Sequence, residues 1–251
     1  HESYNENCLV NVAAIGLVRA DQIIRSKVPE VAKNTPYVMI LIGKTTDATG
    51  YGGASFSSTI LDTEDEEQNL GAVQVHDPFI KRVLVVAIEE MIQYVTKNNI
   101  EIGFKDLGAG GISCATSELA VAGGMGCELN LNQVPVVDAK LDPEIIACSE
   151  TQERFCVVAP QDHAQAICDI FNVNHDMGTL YPGAGAAIIG EIIPEPQYRI
   201  RYNNSLLCDL PVSAITTEVL ADRTAIERFI SRSEDTLPTD IPIQTVALHL
   251  L

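Results

Sequence analysis

Asp106 stands at the end of a predicted strand and directly ahead of a glycine turn, in the run Lys105-Asp-Leu-Gly-Ala-Gly-Gly111. A carboxylate at such a point can hold Mg²⁺. Gly108, Gly110 and Gly111, together with the unpaired N–H groups of the helix that follows, can approach a phosphate closely. The chemistry this predicts is binding of a metal-carried phosphate. A helix-capping aspartate before a tight turn gives the same pattern, and the motif by itself leaves both readings open.

Other reactive residue types are less well placed. Ser113 and Ser117 follow the turn, but no histidine is positioned to activate either as a nucleophile. Glu118 lies at helical spacing from the turn and suits either a supporting acid or a packing role. Cys114 and Cys127 read as buried rather than reactive. The acidic run at positions 62–67, Asp-Thr-Glu-Asp-Glu-Glu, lacks the ligand spacing of a calcium loop and reads as a solvated loop.

The whole composition narrows the partners. A formal net charge of −18 over 251 residues offers no broad basic surface for a nucleic-acid backbone or an anionic membrane. For a phosphate ligand, the same excess leaves most of the neutralisation to Mg²⁺ and backbone N–H groups. Apolar residues make up 46% and charged residues 20%, the balance of a folded chain. Seven cysteines, an odd number without a CxxC pair, fit a reducing cytoplasm. Neither a signal peptide nor a membrane-length apolar run is present. The opening His1-Glu-Ser-Tyr-Asn-Glu-Asn7 reads as a loop entered midway, so the chain is expected to be a fragment.

These residues need a scaffold, and the periodicities predict one. Tyr37-Val-Met-Ile-Leu-Ile42 is a short apolar run with β-branched members, hence a buried strand. Asp77-Pro78 sets an N-cap before a proline, and Ile80, Val83, Leu84, Ala87, Ile88, Met91, Ile92 and Val95 recur at helical spacing. Strands are predicted at 100–107, 127–131, 155–158, 186–192, 198–202 and 206–212. Helices are predicted at 112–121, 143–148, 161–171 and 218–230. The fold class is α+β, a mixed α/β arrangement. The apolar run 8–17 is too regular for a linker and is expected to find its partner outside this chain.

Four segments carry a family resemblance. Asp106-Leu-Gly-Ala-Gly-Gly-Ile-Ser-Cys-Ala-Thr-Ser-Glu-Leu-Ala-Val-Ala-Gly-Gly-Met-Gly126, Gly50-Tyr-Gly-Gly-Ala-Ser-Phe-Ser57, Val73-Gln-Val-His-Asp-Pro-Phe79 and Ser149-Glu-Thr-Gln-Glu-Arg154 resemble, in order and spacing, the motifs of phosphoribosylformylglycinamidine synthases. These belong to the AIR synthase-related superfamily. The resemblance implies an AIR synthase-related C-terminal domain, a mixed sheet with packed helices, over 36–212. Residues 1–34 would be the tail of the upstream ATP-binding domain, and 213–251 a linker or the start of a following domain. Two positions depart from the motifs: Thr151 replaces a serine, keeping the hydroxyl but stiffening χ1, and His76 replaces a glycine.

The implied reaction is phosphorylation of the amide oxygen of formylglycinamide ribonucleotide by ATP, then displacement of phosphate by ammonia. By position, Asp106 matches the Mg²⁺ ligand, and Gln74, Glu150, Thr151 and Gln152 match residues that contact the ribonucleotide. The family's catalytic histidines lie upstream of anything matched here, so no catalytic residue is assigned and the isolated chain is expected to be inactive. A separate glutaminase and a small accessory subunit are the implied partners of the parent enzyme, and the exposed apolar run would favour a homodimer. Related enzymes such as aminoimidazole ribonucleotide synthetase, selenophosphate synthetase and thiamine-phosphate kinase share the oxygen-activation chemistry. A non-catalytic binding module is the remaining alternative.

Overall fold

A computed structural model of the chain describes residues 12–53 and 74–216. All of them fall in the first of two compact units, His1–Thr217, with Glu218–Leu251 forming the second. The acidic run 62–67 and the helix predicted over 218–230 lie outside the described residues.

Strand β1, Tyr37–Gly43, is buried along its whole length. Side chains alternate in a strand, so Val38, Ile40 and Ile42 enter one apolar cluster while Met39 and Leu41 enter another on the opposite face. Both faces of the sheet are therefore covered. Helix α1, Pro78–Lys97, starts where the sequence predicts. The Asp77 carboxylate accepts from the N–H groups of Phe79 and Ile80, each at 3.1 Å, and Pro78 removes a donor that would have no partner. Its buried stripe, Ile80, Leu84, Ala87, Met91 and Val95, lies in the same cluster as Ile40. Each large apolar side chain buried there contributes about 1.5–3 kcal/mol.

Strand β2 occupies Gly103–Asp106, shorter at both ends than the predicted 100–107. At its start Gly103 bridges Arg25 in parallel, and at its end the Leu107 N–H turns to the Arg154 carbonyl at 3.2 Å. Then come α2 (Gly111–Ala122), β3 (Gly126–Asn130), α3 (Pro143–Cys148) and β4 (Arg154–Pro160). Helix α4, Gln161–Asp169, stops short of Phe171 and passes into a π-helical turn, Ile170–Asn174. There the Asn172 side chain donates to the Ala186 carbonyl at 2.8 Å and accepts from the Ala186 N–H at 2.7 Å. The four-residue α5, Met177–Leu180, was not predicted, being too short to show a period. Strands β5 (Gly185–Ile193), β6 (Gln197–Tyr202) and β7 (Ser205–Pro211) follow. Val212 opens α6, Val212–Thr216, instead of ending the last strand, and its N–H bonds the Pro196 carbonyl at 3.0 Å.

The seven strands form one sheet in the order β2-β4-β1-β5-β3-β6-β7, antiparallel throughout except for the parallel pair β3–β6. Helices α2 and α3 supply Ile112, Leu119 and Ile146 to one core, and α1 and α4 supply Leu84 and Ile167 to the other. This is the mixed sheet with packed helices that the sequence predicts. In the apolar run 8–17, the described residues Val12, Ile15 and Leu17 are fully exposed or nearly so.

Candidate functional site

One end of the sheet gathers the motif residues. Gly43, the last residue of β1, pairs with both Arg154 and Gly185, and Asp106, the last residue of β2, pairs with Phe155. Chain segments leaving β1 and β2 and entering β4 therefore meet along this edge. The segment 149–153 runs through the middle of them.

That segment is held from inside by Arg154. The residue is 2% exposed, and its guanidinium donates to the Ser149 carbonyl at 2.7 Å, the Thr151 carbonyl at 3.0 Å and the Thr46 hydroxyl at 2.8 Å. Burial pulls its pKa down to about 10 while the nearby Asp47 carboxylate works the other way, so the group stays charged at neutral pH. Glu153, next in sequence, adopts φ +61°, a left-handed conformation that a non-glycine residue keeps only when its surroundings hold it. Its carbonyl accepts from the Lys44 N–H at 3.1 Å, and its carboxylate lies 2.7 Å from the Lys81 ammonium.

The predicted ribonucleotide residues come together here. The Gln74 side-chain amide donates to the Glu150 carboxylate at 2.6 Å, and Gln152 donates to the Glu150 carbonyl at 3.0 Å. Gly50 has φ +70°, and a Cβ built on it would stand 3.0 Å from the Glu150 Cβ and 3.1 Å from the Gln74 Cγ. Three separate motifs thus touch at one place. Gln74 is exposed, Gln152 half-buried and Glu150 buried.

Thr151 is fully buried, and its hydroxyl is committed to the protein. It lies 2.7 Å from Asp47 Oδ1 and 3.1 Å from the Asp47 carbonyl, and it accepts from the Asp47 N–H at 3.1 Å. The same Oδ1 accepts from the Thr49 N–H at 3.0 Å, and the Lys44 ammonium stands 3.6 Å from Oδ2. Burial opposes ionisation of Asp47, but the hydrogen bonds from Thr49 and Thr151 and the Lys44 charge outweigh it, so its pKa falls below the ordinary aspartate value.

The glycine turn abuts the same segment. Gly110 and Gly111 take φ +73° and +55°, and a Cβ at Gly111 would fall 2.1 Å from the Ser149 carbonyl oxygen. Gly111 is therefore required by close backbone approach, whatever its part in phosphate contact. Gly108 faces open space, and Asp106 is exposed at the strand end. Among the described residues no group of three or more His, Cys, Asp or Glu side chains is arranged to enclose a metal ion. A single exposed carboxylate beside a helix N-terminus suits Mg²⁺ that brings its remaining oxygen ligands from phosphate and water. Glu118 is tied down: it pairs with Lys105 at 2.7 Å and accepts from the Cys114 thiol at 3.0 Å, coupling α2 to β2. His76 is exposed just before the α1 cap.

Asp47 and Arg154 take no role from the motifs, yet each leaves a signal in the sequence. Asp47-Ala-Thr49 is an Asx-turn pattern in which the carboxylate bonds the N–H two residues on. Arg154 is the one cation of the segment 149–154, placed where the chain enters a strand buried on both faces.

Residues 38–203 match the family described as "AIR synthase related protein, C-terminal domain". A phosphoribosylformylglycinamidine synthase subunit PurL from Methanothrix thermoacetophila is 43% identical over 220 residues, 88% of this chain and 28% of that protein. The corresponding Nostoc subunit is 36% identical over 213 residues, 85% of this chain and 25% of its own length. The chain thus spans about a quarter of these relatives. Among solved structures, Thermotoga maritima PurL complexed with FGAR superposes with a TM-score of 0.71 at 29% identity, covering 92% of this chain and 36% of that one. The same protein complexed with ATP gives 0.62 at 29% identity, over 84% of this chain and 30% of its own.

Proposed function

The chain belongs to the AIR synthase-related C-terminal domain family, and from that premise we propose that it forms the ribonucleotide-binding part of a phosphoribosylformylglycinamidine synthase. The reaction is the ATP-dependent amidation of formylglycinamide ribonucleotide. The amide oxygen attacks the γ-phosphorus of ATP and ADP leaves. Ammonia then adds to the activated carbon, and phosphate departs with the former amide oxygen. The observation that carries this reading is the meeting of Gly50, Gln74 and Glu150, from three sequence motifs, at the sheet end where Asp106 and the glycine turn also emerge.

In this reading the Glu150 carboxylate and the amides of Gln74 and Gln152 supply acceptors and donors for a ribose hydroxyl and an amide. Thr151 fixes the segment, and its neighbours make the contacts. Mg²⁺ at Asp106 supplies charge neutralisation for the nucleotide phosphates, with the N–H groups of the 108–111 turn beside it. Catalytic histidines are expected on the ATP-binding domain of the synthase. A separate glutaminase and a small accessory subunit would complete the enzyme, and partnership with further subunits is supported by the likeness to T. maritima PurLQS, with a TM-score of 0.61 at 30% identity over 86% of this chain and 32% of that one. Among the described residues no helix is long and apolar enough to cross a membrane.

The direct test is calorimetric titration of the 251-residue chain with formylglycinamide ribonucleotide. Saturable binding, lost in Glu150→Gln, is expected. Absence of heat at millimolar ribonucleotide from a chain shown to be folded would refute the assignment.

A further inference from the structure

We propose that Asp47 is a positioning residue for the ribonucleotide-binding segment, acting on Glu150 and Gln152 through the hydroxyl of Thr151; this builds on the function proposed above.

A threonine hydroxyl has one proton to give and two lone pairs to receive. Around Thr151 the nearer of its two Asp47 acceptors is the carboxylate, at 2.7 Å against 3.1 Å for the carbonyl, and the Asp47 N–H donates back at 3.1 Å. With the residue wholly buried, this exchange with Asp47 fixes χ1 of Thr151, already stiff from β-branching. Glu150 and Gln152 flank it, so the orientation of this one side chain sets the backbone from which both neighbours project.

Asp47 is itself fixed independently of any ligand. The Thr49 N–H holds the oxygen that Thr151 uses, and Lys44 stands beside the other. Gly50, three residues on, closes against the Glu150 Cβ and the Gln74 Cγ. The loop 44–50 and the segment 149–152 are therefore joined at two points, by the Asp47–Thr151 exchange and by the Gly50 contact. Arg154 does a different job. It grips the carbonyls of Ser149 and Thr151 and the Thr46 hydroxyl, so it shapes the backbone path and leaves the Thr151 side chain to Asp47 and, at the longer distance of 3.4 Å, the Ser149 hydroxyl.

An anchor of this kind differs from a ligand contact in a way that can be measured. If Asp47 acts only through Thr151, deleting either partner has one effect, and deleting both adds little. The experiment compares Asp47→Ala, Thr151→Val, their double variant and Thr151→Ser with the parent 251-residue chain. Two quantities are read: the Kd for formylglycinamide ribonucleotide, and amide hydrogen exchange in the ligand-free chain. Each single variant is expected to weaken binding about tenfold, the double variant no further, and Thr151→Ser to restore most of the affinity. Exchange at 149–153 is expected to quicken by about tenfold in both single variants, while β4 amides keep the parent rates. Multiplying effects in the double variant, or unchanged exchange at 149–153 in Asp47→Ala, would overturn the proposal. Should Asp47→Ala not fold, Thr151→Val against Thr151→Ser makes the same comparison. Failure of the parent chain to bind the ribonucleotide sinks the functional assignment alone, because the exchange measurement still decides the role of Asp47.

Discussion

The Gln74 side-chain amide donates to the Glu150 carboxylate at 2.6 Å, joining two residues 76 positions apart in the chain. Gln74→Glu would replace this donor with an acidic side chain facing another, so the hydrogen bond is lost. Ribonucleotide binding by Gln74→Glu is expected to be about tenfold weaker than by the parent chain, and Gln74→Met, which removes the donor without adding an acid, to lose less. Calorimetric titration of the parent and both variants checks this order.

The glycine turn separates two reasons for glycine. At Gly111 a side chain would meet the Ser149 carbonyl at 2.1 Å on a left-handed backbone, whereas at Gly108 nothing lies within 4 Å. Gly111→Ala is expected to cost well over the roughly 1–2 kcal/mol of left-handed backbone alone. Gly108→Ala is expected to leave the urea midpoint where it is. If Gly108 lies against phosphate in the synthase, that same variant should still raise KM for ATP.

How much of this was legible beforehand varies with the physical signal. Helix α1 was legible because a cap, a proline and a long apolar stripe all agree, and β1 because its run is short, β-branched and bounded by turns. The strand trimmed to Gly103–Asp106 was not, since its ends are set by the distant backbone of Arg25 and Arg154. The π turn after Asp169 depends on Asn172 reaching Ala186. At the site, Gln74 and Glu150 were named separately by resemblance, but nothing local shows that they touch. Thr151 was named by the same resemblance, and nothing local points to the partner of its hydroxyl. Asp47 lies 104 residues from it.

Cysteine chemistry should be silent in the native state. Burial alone pushes the Cys156 thiol up to about 12, and burial is the main cause of the upward shift at Cys127. A thiolate is the reacting species. Neither residue is expected to react with a thiol reagent at pH 8 until the chain is unfolded, and rapid native-state labelling mapped to either would contradict the described core.

Acid should loosen the site through Asp47. Its folded-state pKa is depressed, so its stabilising contribution is present above the ordinary aspartate value of 3.8 and is lost as pH falls through the lower folded value. Above that window the contribution is constant, so this group should give stability no dependence on pH. Removing the carboxylate in Asp47→Asn is expected to flatten the fall in melting temperature below about pH 4 and to leave the slope between pH 6 and 8 unchanged. Parallel melting curves for parent and variant across the acid range would show that the Thr49 and Thr151 bonds do not favour the ionised form.

In the proposed synthase, Asp106 and Gln152 allow the two substrates to be told apart. Asp106 is exposed at the end of β2, so Asp106→Asn exchanges a carboxylate for a near-isostere without opening a cavity, and stability should change by no more than about 0.5 kcal/mol. An amide oxygen carries no net charge and holds Mg²⁺ weakly. The Mg²⁺ concentration for half-maximal activity is therefore expected to rise, and kcat/KM for ATP to fall, on the order of 10–100-fold. KM for the ribonucleotide should move little. Gln152 sits in the segment proposed to contact the ribonucleotide, donating to the Glu150 carbonyl. Gln152→Ala should show the converse, a raised KM for the ribonucleotide with KM for ATP and the Mg²⁺ dependence unchanged. Initial-rate matrices in both substrates at several Mg²⁺ concentrations separate the cases. Equal rises in both KM values for either variant would place that residue in the scaffold, and an unaltered Mg²⁺ dependence in Asp106→Asn would remove it from the metal site.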